Sequence, residues 1–147
     1  MRKPKKPRSR KAGLPPGSLV HIGEIKTATP GISVLDFGPA ALSEAGMPDA
    51  AALVAYRREN STLWGNVYGL QDAADLAAIG AAFQWHPLVL EDILNNNQRQ
   101  KTDAYDDYLY VVLHRYEVSS EPLDVVQDQI SLVIGADYLI SFQERPT

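Results

Sequence analysis

Cysteine is absent from this 147-residue sequence, which excludes disulfide bonds, thiolate metal sites and cysteine nucleophiles. Long apolar runs are absent as well. No segment approaches the roughly eighteen residues that a membrane-spanning helix needs, and the N-terminus lacks the apolar core of a signal peptide. The sequence alone therefore predicts a soluble chain. Its 45% apolar and 22% charged residues are typical of one globular domain with a sizeable core.

Recognisable catalytic motifs are also missing. The sequence contains no H-E-x-x-H pair, no G-x-G-x-x-G loop and no serine in a G-x-S-x-G context. The three histidines are scattered along the chain. His86 precedes Pro87 and is interpreted as a helix N-cap, whereas His21 and His114 are interpreted as sheet-face residues in predicted strands. No set of residues supports an enzyme, so we expect a non-enzymatic function.

Basic residues are scarce outside the first eleven positions. Residues 1–11 carry seven of the fourteen basic residues and no acid, which leaves seven basic against eighteen acidic residues in the remainder. Such an acidic body argues against nucleic-acid binding and is compatible with attraction for cations. Residues 1–17 combine like charges with four prolines and two glycines, which predicts a disordered basic tail. Composition favours a solvated tail over one attracted to anionic lipid or an acidic partner.

Hydrophobic patterning predicts an α/β fold, with a mixed sheet packed on helices. We expect strands at 18–25, 32–38, 63–70, 125–135 and 137–144, the last two joined by a tight turn at Gly135–Asp137, and a further strand within 105–113. Helices are predicted at 72–83, opened by Gln71 or Asp72, and at 86–95, opened by Pro87. Residues 39–46 suggest a short helix, and 47–60 fit either helix or strand.

The helix predicted at 86–95 is amphipathic and is followed by an acidic connection. Its apolar face comprises Val89, Leu90, Ile93 and Leu94. Glu91, Asp92 and Asn95 fall on the opposite face, which we expect to be solvent-facing. Five carboxylates lie within 17 residues: Glu91, Asp92, Asp103, Asp106 and Asp107. On residue chemistry alone, a solvated acidic face paired with Arg99 and Lys101 is favoured over a site for a hard cation such as Mg²⁺.

Seven segments form an ordered set with characteristic spacings: ISVLDFG (32–38), LWGNVYGL (63–70), HPLVLEDILN (86–95), QRQK (98–101), YDDYLYVVL (105–113), QISLVIG (129–135) and LISFQE (139–144). In this order they resemble the cytoplasmic domain of the CorA family of magnesium and cobalt transporters. Together they span most of residues 18–144. One departure is Gln100, where the family usually has proline.

The resemblance implies a fold and an assembly. Family members are homopentameric channels whose cytoplasmic domain is an α/β/α sandwich around a mixed parallel/antiparallel sheet, followed by a stalk helix and two membrane helices. This chain contains neither the membrane helices nor the Gly-Met-Asn signature. It therefore resembles the N-terminal cytoplasmic portion alone, with 18–147 as the domain and 1–17 as its tail. The expected location is the cytoplasmic side of the inner membrane.

The resemblance also implies a regulatory cation site. In the family, divalent cations bind between neighbouring cytoplasmic domains, and the acidic pair of the His-Pro-Leu-x-Leu-Glu-Asp motif contributes to those sites. That pair is Glu91 and Asp92 here, and the partner acids of family members lie beyond the position of Thr147. Magnesium is the expected regulatory and transported ion, with cobalt as a second candidate. The alternatives are a ZntB-like zinc transporter domain and a free-standing cation-sensing or partner-binding module.

Overall fold

A computed structural model describes residues 13–22, 29–56, 60–69, 72–120 and 123–146. Within these ranges the chain forms seven strands and three helices. In chain order they are β1 (Gly31–Phe37), β2 (Leu42–Met47), α1 (Ala50–Ala55), β3 (Thr62–Tyr68), α2 (Ala73–Ala82), α3 (Pro87–Ile93), β4 (Lys101–Ala104), β5 (Leu109–Ser120), β6 (Leu123–Ile134) and β7 (Tyr138–Gln143).

All seven strands belong to one mixed sheet with the spatial order β2-β1-β3-β7-β6-β5-β4. The pair β3 and β7, near the middle of the sheet, is parallel, and every other neighbouring pair is antiparallel. The helices α1, α2 and α3 all lie in the connection between β1–β2 and β4, with β3 between α1 and α2. The predicted α/β class and mixed sheet are confirmed.

One face of the sheet packs against the three helices and forms the hydrophobic core. Directly paired residues share a face, and the register aligns Val34, Gly65, Ile140, Val133 and Tyr110 across five strands. The buried residues of α1, α2 and α3 join the same hydrophobic cluster. We call this face the covered face.

The other face, which we call the open face, exposes many apolar side chains. Large apolar residues that are more than a third exposed on it are Phe37, Leu42, Trp64, Leu109, Leu113 and Ile134. Within the described ranges, no helix packs on this face. A contiguous apolar surface is typical of a surface that contacts another structural layer or another protein.

Strands β5 and β6 continue past their neighbours as a two-stranded ribbon. Its base is fixed on the open-face side by Asp128, which is 3% exposed and accepts hydrogen bonds from Arg115 (3.2 Å) and Arg145 (3.0 Å from Nε). Towards its tip, Tyr116, Val118 and Leu123 are exposed on the opposite side. The ion pairs thus hold a protruding, partly apolar ribbon against the end of β7.

Most predicted elements are confirmed. Helix α2 begins after Asp72, whose carboxylate accepts hydrogen bonds from the N–H groups of Ala74 (2.8 Å) and Asp75 (3.2 Å). Strand β3 ends at Tyr68, and the next residue, Gly69, has a φ of +74°, a conformation that glycine adopts without steric cost. The tight turn before β7 is closed by a hydrogen bond from Gly135 N–H to the carbonyl of Tyr138 (2.9 Å). The ambiguous segment 47–60 contains α1, with Asp49 as its N-cap.

Three local predictions are wrong. The short helix expected at 39–46 is instead β2, because its backbone pairs with β1 as an edge strand from Leu42 to Met47. The strand expected at 18–25 is reduced, in its described part, to a single bridge from Ile22 to Asn95, and residues 23–28 lie outside the described ranges. The polar connection after α3 contains β4, which pairs with β5 although its sequence is not apolar. Of the predicted tail, residues 1–12 lie outside the described ranges.

Candidate cation-binding surface on helix α3

Contacts at both ends of helix α3 and on its buried face fix its position. His86 caps it, since its Nδ1 accepts a hydrogen bond from Leu88 N–H (3.2 Å), which confirms the structural interpretation of this histidine. Val89 and Ile93 are fully buried. The approach of α2 depends on Gly80, because a Cβ there would lie 2.5 Å from Cδ2 of Leu90. The predicted apolar face is therefore confirmed, and it orients the acidic residues away from the core.

A column of rings fixes the N-terminal end of α3 to the turn between β4 and β5. The rings of Tyr105 and Tyr108 stack with centroids 4.6 Å apart, and His86 stacks on Tyr105 at 6.0 Å. The Tyr108 hydroxyl also accepts a hydrogen bond from His86 N–H (2.9 Å). Burial and the neighbouring Tyr108 raise the pKa of Tyr105. The sequence did not predict this column, because its only sequence signal is tyrosine at positions 105 and 108 after an acidic segment.

The two acidic residues of α3 do not face open solvent, and this part of the prediction is wrong. Asp92 is covered by the segment that follows α3 and by β4. Its Oδ1 accepts a hydrogen bond from Gln98 Nε2 (2.9 Å), and its Oδ2 lies 2.7 Å from Lys101 Nζ. The side chain of Asp92 is only 26% exposed. Both of its oxygens are therefore bound by the protein's own groups.

Lys101 bridges two carboxylates. Its Nζ lies 2.7 Å from Oδ2 of Asp92 on α3 and 2.7 Å from Oδ2 of Asp103 on β4. The same ammonium is 5.4 Å from the ring centroid of the buried Tyr110. Burial alone would lower the pKa of Lys101, but the hydrogen bonds to Asp103 and Asp92 outweigh burial and raise it. Lys101 is therefore a fixed positive charge at this surface.

Glu91 is contacted from the N-terminal side of the chain. Residues 13–22, which we call the N-terminal strap, run alongside α3, and Gly17 N–H donates a hydrogen bond to Oε2 of Glu91. Further along, Ile22 exchanges backbone hydrogen bonds with Leu94 and Asn96 (2.8 and 2.9 Å). The strap thus follows α3 along its length and covers part of the surface that carries Glu91.

A buried carboxylate anchors the C-terminal end of the strap. Glu144, which is 2% exposed, lies 2.7 Å from Nε2 of His21 and accepts a hydrogen bond from Nδ2 of Asn96 (2.7 Å). His21 is therefore a strap residue that binds the end of β7, and its interpretation as a sheet-face residue in a strand is wrong. His114 does lie on a strand, where its ring binds the carbonyl of Gln98 (3.0 Å).

The five carboxylates near α3 do not converge on one point. Asp106 and Asp107 are exposed in the turn between β4 and β5, whereas Asp103 points to Lys101. Among the described residues, no group of three or more histidine, aspartate or glutamate side chains is arranged to hold a metal ion. Glu91 and Asp92 could each offer a carboxylate to a hydrated Mg²⁺, which can be held through one or two carboxylates. Further ligands would have to come from outside the described residues, from another chain or from water.

A family model described as "CorA-like Mg2+ transporter protein" matches residues 59–147. The "Cobalt/magnesium transport protein CorA" of Thermotoga maritima is 31% identical over 137 residues, which cover 93% of this chain and 39% of that protein. The chain thus spans well under half the length of this relative. Within the described ranges, no helix is long and apolar enough to cross a membrane.

Solved structures share the fold at lower identity. The soluble domain of CorA from Methanocaldococcus jannaschii matches 74% of this chain and 39% of that chain, with a TM-score of 0.51 and 12% identity. The cytoplasmic domain of ZntB from Vibrio parahaemolyticus matches 80% of this chain and 45% of that chain, with a TM-score of 0.56 and 15% identity. At these identities the structural matches establish the shared fold alone.

Proposed function

Because the chain belongs to the CorA-like Mg²⁺ transporter family, we propose that it is the N-terminal cytoplasmic domain of a divalent-cation transporter or channel in the inner membrane. The observation that carries the proposal is the match along 93% of the chain to a cobalt/magnesium transport protein. The proposed role is regulatory rather than enzymatic. The ion sensed and transported is Mg²⁺, and Co²⁺ is a second transported ion.

The proposed sensor is the pair of carboxylates on the outer surface of α3. Glu91 and Asp92 lie on a helix whose other side is fixed in the core, so their positions follow the position of the whole domain. In a homopentamer, carboxylates of a neighbouring copy would face this pair. A hydrated Mg²⁺ between the two copies would offset the repulsion between their negative charges.

Gating then follows from mass action. When internal Mg²⁺ is high, the cation binds between subunits and stabilises the symmetric closed assembly. When internal Mg²⁺ falls, like charges face each other across the interface and the subunits move apart. The equilibrium shifts only by as much as the cation's affinity differs between the two arrangements. The sensing site is therefore effective only if it is incomplete within one chain, which agrees with the scattered carboxylates described above.

The test uses the full-length protein in membranes. We expect Mg²⁺ to protect the wild-type protein from a protease in a titratable way, and we expect Glu91→Ala or Asp92→Ala to move the midpoint to higher Mg²⁺. Asp106→Ala is the matched control, because Asp106 is an exposed acid nearby that lies off α3. Midpoints unchanged in both α3 variants would remove the pair from the cation role.

A second candidate is the ZntB-like zinc transporter domain that the sequence resemblance left open, and the cytoplasmic domain of ZntB shares this fold. Flux measurements on the same full-length protein separate the two candidates. Transport of Mg²⁺ supports the first candidate. Transport of Zn²⁺ without Mg²⁺ would overturn the first candidate and support the second.

A further inference from the structure

Asp92 already has a cation bound to it. The ammonium of Lys101 lies 2.7 Å from Oδ2 of Asp92, so this oxygen already contacts a positive charge. The other oxygen is occupied by the amide of Gln98 at 2.9 Å. A divalent cation that binds Asp92 directly therefore either shares an oxygen with one of these groups or displaces it. Lys101 is the one that carries a positive charge and so opposes the incoming ion.

From this geometry we infer that Lys101 is a tethered counter-ion that competes with the divalent cation for Asp92 and thereby sets the cation affinity of the α3 surface. The inference rests on the proposed role of Asp92 in cation binding. It gives Lys101 a role beyond the surface pairing that the sequence predicts. Lys101 is a positioning and affinity-setting residue, and it is not itself a ligand.

Asp103 makes the exchange between the two cations feasible. Lys101 Nζ is equally close to Asp103 and Asp92, at 2.7 Å from each. When a divalent cation takes Asp92, the ammonium keeps Asp103 as a partner. The ring of Tyr110 at 5.4 Å adds a second favourable environment for the ammonium. Lys101 therefore keeps a partner when a divalent cation takes Asp92. Because both states of the ammonium are favourable, a change in the Mg²⁺ concentration can shift the exchange in either direction.

The positions of Asp92, Lys101 and Asp103 explain why assembly with a neighbouring copy would regulate the exchange between the Lys101 ammonium and a divalent cation. Asp92 is on α3, whereas Lys101 and Asp103 are both on β4. In one chain the ammonium satisfies Asp92. Carboxylates contributed by a neighbouring copy would add negative charge at this point and favour a divalent over a monovalent cation. The tethered ammonium thus lowers the affinity of a lone chain for Mg²⁺ more than that of an assembled pair.

The chain offers a matched control for Lys101. Arg99 lies two residues away, is exposed and carries the same charge. The described contacts of Asp92 involve Lys101 and Gln98 rather than Arg99. Lys101→Met and Arg99→Met therefore remove the same charge from the same surface, and only the first frees Asp92.

The experiment measures the Mg²⁺ midpoint of protease protection for the full-length protein. Lys101→Met is expected to lower the midpoint about tenfold, the equivalent of about 1.4 kcal/mol, whereas Arg99→Met shifts it by less than about twofold. In an Asp92→Asn background the effect of Lys101→Met should disappear, because the two residues act as a pair. Circular dichroism of each variant establishes that it is folded, and a Lys101→Gln variant replaces Lys101→Met if the latter is not.

Each outcome bears on a separate claim. If Asp92→Asn leaves the midpoint unchanged, the proposed cation role of Asp92 is wrong. If Asp92→Asn shifts the midpoint but Lys101→Met behaves like Arg99→Met, Asp92 keeps its role and the counter-ion inference is overturned. An effect of Lys101→Met that persists in the Asp92→Asn background would also overturn it, because that effect would not pass through Asp92.

Discussion

The two faces of the sheet differ in what their apolar residues do. On the covered face, Val34, Ile140 and Phe142 are at most 1% exposed and pack against the three helices. On the open face, Phe37 and Trp64 are each 42% exposed. Both faces are built by the same strands, so strand-forming sequence alone does not decide which apolar residues stabilise the fold. Contact with the helices decides it.

The largest expected effect separates two phenylalanines of the same sheet. Phe142→Ala on the covered face should lower the free energy of unfolding by about 4 kcal/mol, because it removes buried area and leaves a cavity. Phe37→Ala on the open face should lower it by less than about 1.5 kcal/mol, because that ring is already 42% exposed. Urea unfolding of the 147-residue chain measures both. Equal losses would show that the open face is covered in solution.

A polar cluster of three residues at the base of the ribbon sharpens the comparison, because its carboxylate, Asp128, is buried on the side of the open face. Asp128→Asn should lower the free energy of unfolding by about 2 kcal/mol, since Arg115 and Arg145 lose the buried negative charge that they share. Asp124→Asn on the same strand is the control, because the described contact of Asp124 is an exposed hydrogen bond to its neighbour. Its expected effect is below about 0.5 kcal/mol. Similar unfolding midpoints for both variants would contradict the anchoring role of Asp128.

The smallest expected effect concerns the charge of Asp75 on helix α2, which packs on the covered face. Burial, followed by repulsion from Asp72 and Asp49, raises the pKa of Asp75. When the folded-state pKa of a carboxyl lies above its unfolded-state pKa, the free energy of unfolding of the protein falls as pH rises through the folded-state value. Asp75→Asn should therefore be slightly stabilising at pH 7, and the gain should vanish as pH falls below about 3.9.

The measurement for Asp75→Asn is thermal unfolding at several pH values, with the exposed Asp107→Asn as the control. The difference in thermal unfolding midpoint between the two variants should increase from acidic to neutral pH. A pH-independent difference would indicate that helix propensity rather than charge causes it.

Sequence patterning predicted the parts of the fold that depend on local periodicity and end signals. Helices α2 and α3 were predicted with their caps, because Asp72 and His86–Pro87 are local signals. Strand β2 was missed because the segment LSEAGM has no strand signal of its own, and pairing with β1 alone makes it extended. Strand β4 was missed because the segment KTDA likewise has no strand signal of its own, and pairing with β5 makes it extended.

The candidate site was predicted in its residues but not in its surroundings. Periodicity correctly placed Glu91 and Asp92 on the face of α3 opposite to the core. The expected pairing with Lys101 is found at Asp92. The sequence could not show that Gly17 reaches Glu91, since this contact spans 74 residues and depends on the strap. Whether the two carboxylates bind a cation stays a prediction.

The single parallel pair in the sheet has a consequence for how the chain folds. Every residue pair between β3 and β7, from Leu63↔Tyr138 to Tyr68↔Gln143, joins positions 75 residues apart. The strands on either side of this seam pair locally, as β2-β1-β3 and as β7-β6-β5-β4. Long-range pairing has a higher loop-closure entropy cost and forms slowly, so we expect the two halves to form first and the seam to close last. In pulsed hydrogen exchange during refolding, amides in the β5–β6 pair should gain protection before those of Gly65 and Val67, and the reverse order would contradict this sequence of events.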